Sequence, residues 1–245
     1  MLLLMIERDM PIDEVLFADT GMEFPEMYAH LEKLDAYLFQ KRGIHITILR
    51  AKHSFEYLMF DEPKVKLKTI ENRIQRGIPL HGNGWPGIRV RWCTGQLKTH
   101  LISKEVNRLK GEYGAVNHVG IAADEAWRCK EERYPLVEWS ITEAMALQIC
   151  YDRGFDFGGL YRIYRRASCW CCPFQRIGEL RNLRKHHPEL WARLRELDKR
   201  ALAQFGPGPL GQFKQNWTVE QLEARFAAED EQLSFMEESQ NAYND

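Results

Sequence analysis

The chain has 245 residues, enough for one medium domain with an appendage or for two small domains. Its formal net charge of -1 excludes bulk electrostatic attraction to a polyanion, although local charge clusters remain open. Hydrophobic residues make up 44% of the sequence, which supplies a full core. The apolar start, Met1 to Ile6, is too short to span a bilayer and lacks the basic segment and cleavage site of a signal peptide. The six cysteines include three packed into Cys169-Trp170-Cys171-Cys172, a spacing that suits metal or redox chemistry better than a disulfide framework. These features predict a cytoplasmic protein with no membrane partner.

In chain order, Met1 to Asp9 has the pattern of the back half of a helix. Met1 already lies inside the apolar run, so either the helix starts raggedly or the beginning of the chain is missing. Val15 to Ala18 is an apolar run that stops in Asp19-Thr20-Gly21. It reads as a buried parallel strand delivering polar groups to the carboxyl edge of a sheet, where open α/β sheets bind ligands. Phe24, Met27, Tyr28, Leu31, Leu34, Leu38 and Phe39 have helical spacing, and Gly43 supplies the stop. Ile44 to Leu49 alternates and is β-branched, which predicts a second strand joined to the first by a parallel crossover. Arg50 leaves that strand at the same edge.

A short helix is expected over Phe55 to Phe60 and a basic helical stretch near Lys66 to Arg76. Gly77 to Gly87 reads as a loop, either an irregular connector or a mobile lid. Arg89 to Thr94 leads into an amphipathic helix from Gln96 to Leu109. Tyr113 to Ile121 and Tyr134 to Val137 are read as further strands. Ser140-Ile141-Thr142-Glu143 is a capping box opening a helix to Asp152, closed by Gly154. The character changes after Gly158-Gly159. Two helices split at Pro188 follow, then a Gly/Pro linker at residues 206–209. A second capping box at Thr218-Val219-Glu220-Gln221 opens a helix to about Met236, with a polar, frayed tail. The expected domains are 1–157, an α/β domain, and 158–245, a helical region holding the cysteine cluster.

Four groups of residues carry candidate chemistry. Asp19, Thr20 and Gly21 can meet a nucleotide's base or ribose, or can cap the next helix. Arg91 and Lys98 bracket a helix start and suit a phosphate or sulfate, or sit on a solvated edge. Cys169 and Cys172 form a C-x-x-C pair, with Cys171 as an extra thiol and Cys93 as a candidate fourth ligand, a set suited to zinc or an iron–sulfur cluster. Cys129 and Cys150 read as packing residues. Finally, Arg162, Arg165, Arg166, Arg176, Arg181, Arg184 and Lys185 lie among aromatics, a composition that tracks a nucleic-acid backbone or makes a solvated helical face.

Phe17-Ala18-Asp19-Thr20-Gly21 with Phe24-Pro25, Arg91-Trp92-Cys93-Thr94 with Lys98, and Gly120-Ile121-Ala122-Ala123-Asp124-Glu125 together resemble the phosphoadenosine phosphosulfate (PAPS) reductase family of PP-loop adenine nucleotide α-hydrolase-like proteins. Glu143 to Gly159, Ser168 to Pro173 and Pro188-Glu189-Leu190-Trp191 are similar to a bacterial and phage branch of it. The resemblance implies a Rossmann-like parallel sheet flanked by helices, with ATP or PAPS as the nucleotide. It implies that Asp19, Thr20, Gly21 and Asp124 lie at the nucleotide and that Arg91 and Lys98 meet its phosphate or sulfate. By the same resemblance a [4Fe–4S] cluster is expected on Cys93, Cys169 and Cys172, with Cys171 a further choice and zinc the alternative. The implied activity is that of a reductase or sulfurtransferase served by a thiol or electron-donor protein. A second reading is a nucleic-acid-modifying sulfurtransferase similar to the PP-loop proteins of DNA phosphorothioation, acting on DNA or tRNA. A third is a nucleotide-binding remnant with structural zinc.

The sequence departs from the family pattern in three places. The Ser-Gly-Gly-x-Asp-Ser type phosphate loop, expected before the first helix, is absent. No cysteine follows Cys172, so the C-terminal Glu-Cys-Gly type motif has no counterpart. The paired cysteine after the arginine is a single Cys93.

Overall fold

A computed structural model of the chain describes residues 1–242, with side chains followed through residue 232. Its elements in order are α1 (Leu2–Glu7), β1 (Val15–Asp19), α2 (Pro25–Arg42), β2 (Ile46–Arg50), α3 (Leu67–Gln75), α4 (Trp92–Thr94), α5 (His100–Tyr113), α6 (Pro135–Glu138), α7 (Glu143–Asp152), α8 (Leu160–Ile163), α9 (Ile177–His186), α10 (Pro188–Phe205) and α11 (Val219–Ala242). A wide π-type turn covers Tyr57–Asp61, and another, Gly95–Thr99, joins α4 to α5. No helix among the described residues is long and apolar enough to cross a membrane. Of the polar tail, the part up to Ala242 is helical, and residues 243–245 lie outside the described residues.

The chain forms two compact units. The first comprises residues 1–52 and 93–168, the second residues 53–92 and 169 onward. Residues 53–92 therefore leave the first unit after β2 and belong with the cysteine-containing helices, and the change of unit near the cysteines falls at 168/169.

The first unit is built on β1 and β2, which pair in parallel from Val15↔Ile46 to Asp19↔Arg50. Parallel strands cannot be joined by a tight turn, and α2 makes the crossover. Several local choices agree on α2. Pro25 at its first position presets φ and lacks only an N–H that would be unpaired there anyway. Glu26 in the first turn and Lys41 and Arg42 in the last complement the helix dipole. Gly43 then takes φ 69°, and its N–H closes on Phe39 O at 2.8 Å. Phe24 and Leu38 are fully buried at the two ends of this helix.

The chain is a mixed α/β protein with little sheet, because the expected strands at 113–121 and 134–137 do not form. Helix α5 runs on to Tyr113, and Gly114 at φ 65° closes it, which consumes the start of the predicted strand. Residues 115–122 are irregular, tied to the next segment by a single bridge between His118 and Arg133. Pro135 sits at the first position of α6, where its ring favours a helical turn over a sheet ladder. The Ser140 capping box also shifts. The N-cap of α7 is Thr142, whose Oγ1 accepts the Met145 N–H at 3.3 Å, while Ser140 takes φ 56°.

In the second unit Trp85, Trp170, Phe60, Phe213, Phe226, Leu180, Leu183 and Leu194 form the core, each at most 2% exposed. Full burial of side chains of this size is worth roughly 1.5–3 kcal/mol each. Thr218 and Gln221 make the predicted reciprocal capping box at the start of α11: Thr218 N donates to Gln221 Oε1 at 2.9 Å and Gln221 N to Thr218 Oγ1 at 3.2 Å. The Gly77 to Gly87 loop is a pinned connector. Gly82, Asn83 and Gly84 donate their N–H groups to Glu62, Leu58 and Met59 carbonyls at 2.9–3.1 Å, and Trp85 N reaches Leu210 O at 2.8 Å.

Candidate functional site

The carboxyl end of β1 holds a tight polar arrangement. Asp19 Oδ1 accepts the Gly21 N–H at 2.8 Å and the Tyr28 hydroxyl at 2.8 Å, and its Oδ2 accepts Arg50 Nε at 3.0 Å. The strand register explains the last contact, since Asp19 and Arg50 are direct neighbours at the ends of β1 and β2. Thr20, buried, accepts the Met22 N–H on Oγ1 at 3.2 Å and donates to Glu23 Oε1 at 3.2 Å. Glu23 in turn holds Lys98 Nζ at 2.9 Å. Neither Asp19 nor Thr20 caps α2, whose N-cap is Phe24 with no side-chain bond. They shape the turn that precedes it.

This turn presents Gly21 outward. Its φ is +73°, and an added Cβ would meet nothing within 4 Å, so the backbone here faces open space. Two cations rim it. Arg50 and Lys98 are 66% and 40% exposed at their side chains, whereas the carboxylates that hold them, Asp19 and Glu23, are each 9% exposed. Arg50 spends only Nε on Asp19, and neither Nη group has a partner among the described residues. A guanidinium anchored by one edge, with its other donors available, is pre-organised for an anion.

Burial works to raise the Asp19 pKa, but the bonds from Gly21, Tyr28 and Arg50 outweigh it and hold the carboxyl below the ordinary range. The group is thus ionised more readily in the fold than in the unfolded chain. The stability it contributes is present above the unfolded pKa and is lost as pH falls through the depressed one. Urea unfolding of wild type and Asp19→Asn should therefore differ most near pH 7, and the gap should close in acid. A gap that widens on acidification contradicts this reading. The Tyr28 phenol is pushed well above its usual value by burial and by its bond to Asp19. It stays a donor throughout the neutral range.

The other expected site residues are divided between the two units. Asp124 lies in the first unit, but its Oδ1 accepts the Glu143 N–H at 3.0 Å and so secures the start of α7. Arg91 belongs to the second unit, with its guanidinium 4.6 Å from the Phe174 ring centroid, whereas Lys98 belongs to the first. Cys93 is in the first unit, where burial pushes its thiol up against the opposing influence of Thr94 and Lys98.

Cys169, Cys171 and Cys172 are in the second unit. Cys172 N–H closes a turn on Cys169 O at 3.1 Å, and Cys171 is 1% exposed while its two neighbours are half-buried. Among the described residues no group of three or more His, Cys, Asp or Glu side chains is arranged to hold a metal ion. The turn itself is firmly held. Gln175 Nε2 donates to Cys169 O and Trp170 O at 3.1 and 3.3 Å, and Lys214 Nζ donates to Pro173 O and Gln175 O at 2.8 and 2.6 Å.

Glu23, Tyr28 and Arg50 were not singled out by motif. Arg50 was the findable one, since a basic residue ending β2 opposite an acid ending β1 follows from the parallel register alone.

No protein-family model matches the sequence, and no solved structure matches it. The chain is similar to uncharacterized protein MJ0066 of Methanocaldococcus jannaschii, 25% identical over 200 residues that cover 73% of this chain and 34% of the relative. It is also similar to uncharacterized protein MJ0973 of the same organism, 23% identical over 188 residues that cover 76% of this chain and 42% of the relative. The chain spans less than half the length of either relative.

Proposed function

We propose that the end of β1 is an adenine-nucleotide site, in a Rossmann-like unit of a PAPS-reductase-family enzyme that acts as reductase or sulfurtransferase on an adenylated or sulfated nucleotide. One observation carries this reading: the open Gly21 backbone beside Arg50, whose Nε is anchored to half-buried Asp19 and whose Nη groups have no partner among the described residues. In this assignment Asp19 and Thr20 are positioning residues. Gly21 admits the ligand's close approach, and Arg50 and Lys98 meet its anionic group. The resemblance links the Asp19-Thr20-Gly21 segment to the Lys98 segment, and the Thr20–Glu23–Lys98 chain of bonds is the physical counterpart of that link.

Titration calorimetry with ATP, PAPS and adenosine tests the proposal. Saturating nucleotide should also raise the melting temperature, since ligand at 100 times Kd adds about 2.7 kcal/mol. Arg50→Ala should weaken binding of the charged ligands about 10- to 100-fold, the loss of one charge-assisted contact of about 1.5–3 kcal/mol, and should leave adenosine nearly unaffected. No heat and no melting shift with all three ligands at millimolar concentration would overturn the proposal.

A further inference from the structure

The second unit carries a cationic surface that the nucleotide reading does not use. Between Lys64 and Arg91 the sequence has seven lysines and arginines and a single acid, Glu71, in a chain whose net charge is -1. Three of the seven have internal work. Lys64 pairs with Glu62 at 2.6 Å, Arg73 ties α3 to the following loop through the carbonyls of Pro79, His81 and Gly82, and Arg91 lies over Phe174. Lys66, Lys68, Arg76 and Arg89 are exposed and form no ion pair with a described residue.

The cations of α9 and α10 behave differently. Arg181 pairs with Glu229, Arg184 with Glu223 and Asp230, and Arg195 with Glu220, so the acidic face of α11 neutralises them. Arg176, Lys185 and Lys199 are also exposed and form no ion pair with a described residue, but they fall singly along α9 and α10, whereas the 64–91 segment carries four such cations.

That segment also has shape. Lys68, Thr69, Asn72, Arg73, Arg76 and Ile78 line a recess of about 370 Å³ between α3 and the loop after it. Lys68, Asn72 and Arg76, spaced by four, share one side of α3, while Leu67, Ile70 and Ile74 fall on the other. Leu67 and Ile74 are themselves 72% and 63% exposed, so the choice between a bilayer and a nucleic acid rests on the recess. A helix lying on an anionic bilayer buries its apolar stripe and leaves its polar face toward water. Here the recess, its cations and its hydrogen-bonding Thr69 and Asn72 lie together on the polar side, the mixture of donors that grips phosphodiester oxygens.

We propose that the Lys64–Arg91 segment is a nucleic-acid-binding surface whose α3 recess seats backbone phosphates. Binding there is dominated by phosphate contacts and is not sequence-specific, since the lining offers cations and small donors and no aromatic stacking platform. The proposal is independent of the nucleotide reading at β1: mononucleotides test the one and polynucleotides the other.

The test is fluorescence anisotropy of the full chain with labelled single-stranded DNA, duplex DNA and RNA across a salt series. Wild type should bind with a strong inverse salt dependence. The K68A/R76A/R89A variant should lose at least tenfold in affinity and, on duplex DNA, about 0.9 in the log–log salt slope for each phosphate contact removed. Its melting temperature should match wild type, because all three side chains are exposed. Lys68→Gln alone should show a smaller loss in the same direction, and Arg195→Ala none. The proposal is overturned by absent binding at low salt, by unchanged affinity in the triple variant, or by loss only in R162A/R165A/R166A. Binding to phosphatidylserine vesicles but to no nucleic acid would also overturn it and assign the surface to a membrane.

Discussion

Replacing Asp198 with alanine should destabilise the second unit by about 3–5 kcal/mol, the largest effect of any single polar substitution considered in this chain. Asp198 is 3% exposed and lies on the inner side of α10. Its Oδ1 accepts the Trp85 indole N–H at 3.1 Å and the Phe213 N–H at 2.8 Å, and its Oδ2 accepts the Val219 N–H at 2.6 Å. One carboxylate thus fastens the 53–92 segment, the Gly/Pro linker region and the first residue of α11 to α10. Burial raises its pKa against the pull of those three donors, so the charged form is costly in this place and its bonds offset that cost. Alanine leaves three buried donors without an acceptor, each worth roughly 1–3 kcal/mol, and relieves only the buried charge. Asp198→Asn separates the contributions. An amide can keep the Trp85 and Phe213 bonds on its oxygen, but it turns an NH₂ toward Val219 N–H, for an expected cost of about 1–3 kcal/mol. Urea unfolding followed by tryptophan fluorescence reads both. A change below 1 kcal/mol for Asp198→Ala would show that the three donors find other partners.

Gly84→Ala should cost about 2–4 kcal/mol. Two independent penalties add there. The φ of +67° charges any Cβ roughly 1–2 kcal/mol. The Cβ itself would stand 2.5 Å from Leu210 O and 2.7 Å from Leu210 Cβ, so backbone must move. Movement is expensive, because Leu210 O also accepts Trp85 N and Gly84 O accepts the Trp92 indole N–H at 3.1 Å. Gly21→Ala is the informative contrast. It has a similar φ of +73° but open space around it, so it should pay only the conformational part. Equal losses at the two positions, in the same urea experiment, would mean that the close approach at Leu210 is not a constraint.

The glycines illustrate what the sequence displayed and what it withheld. Gly43, Gly82 and Gly84 all stood out in the sequence as breaks, and Gly43 ends its helix as expected. Nothing local revealed that Gly82 and Gly84 were required by contacts with Met59, Phe60 and Leu210, because those partners are distant in sequence or come from another loop. The same division holds for the elements. The β1–α2–β2 unit was readable from its apolar patterns and the Gly43 stop, α7 from its Ser/Thr cap region and Gly154, and α11 from the Thr218 capping box. The strands expected at 113–121 and 134–137 were apolar runs without such agreement, and a glycine stop on α5 and a helix-starting proline on α6 decided against them.

At the site, the Asp19-Thr20-Gly21 turn and Lys98 were legible and do come together through Glu23. Arg91 and Cys93 flank the change of unit, which composition does not mark, so their assignment to different units was not legible. Within the basic stretch, Arg181 and Arg184 looked available for nucleic acid because their acidic partners, Glu223, Glu229 and Asp230, lie a linker away in the sequence. The α3 cations, by contrast, have no such counterpart among the described residues.

The central claim is that the open turn after β1 receives an adenine nucleotide. Following a PAPS titration residue by residue tests it most directly, with backbone amide spectra of the deuterated, ¹⁵N-labelled chain. The account predicts that the largest shifts fall on Gly21, Met22, Arg50 and Lys98, and that the Arg50 and Lys98 changes are reduced with adenosine. Shifts confined to the second unit, or no shifts at millimolar PAPS, would contradict it.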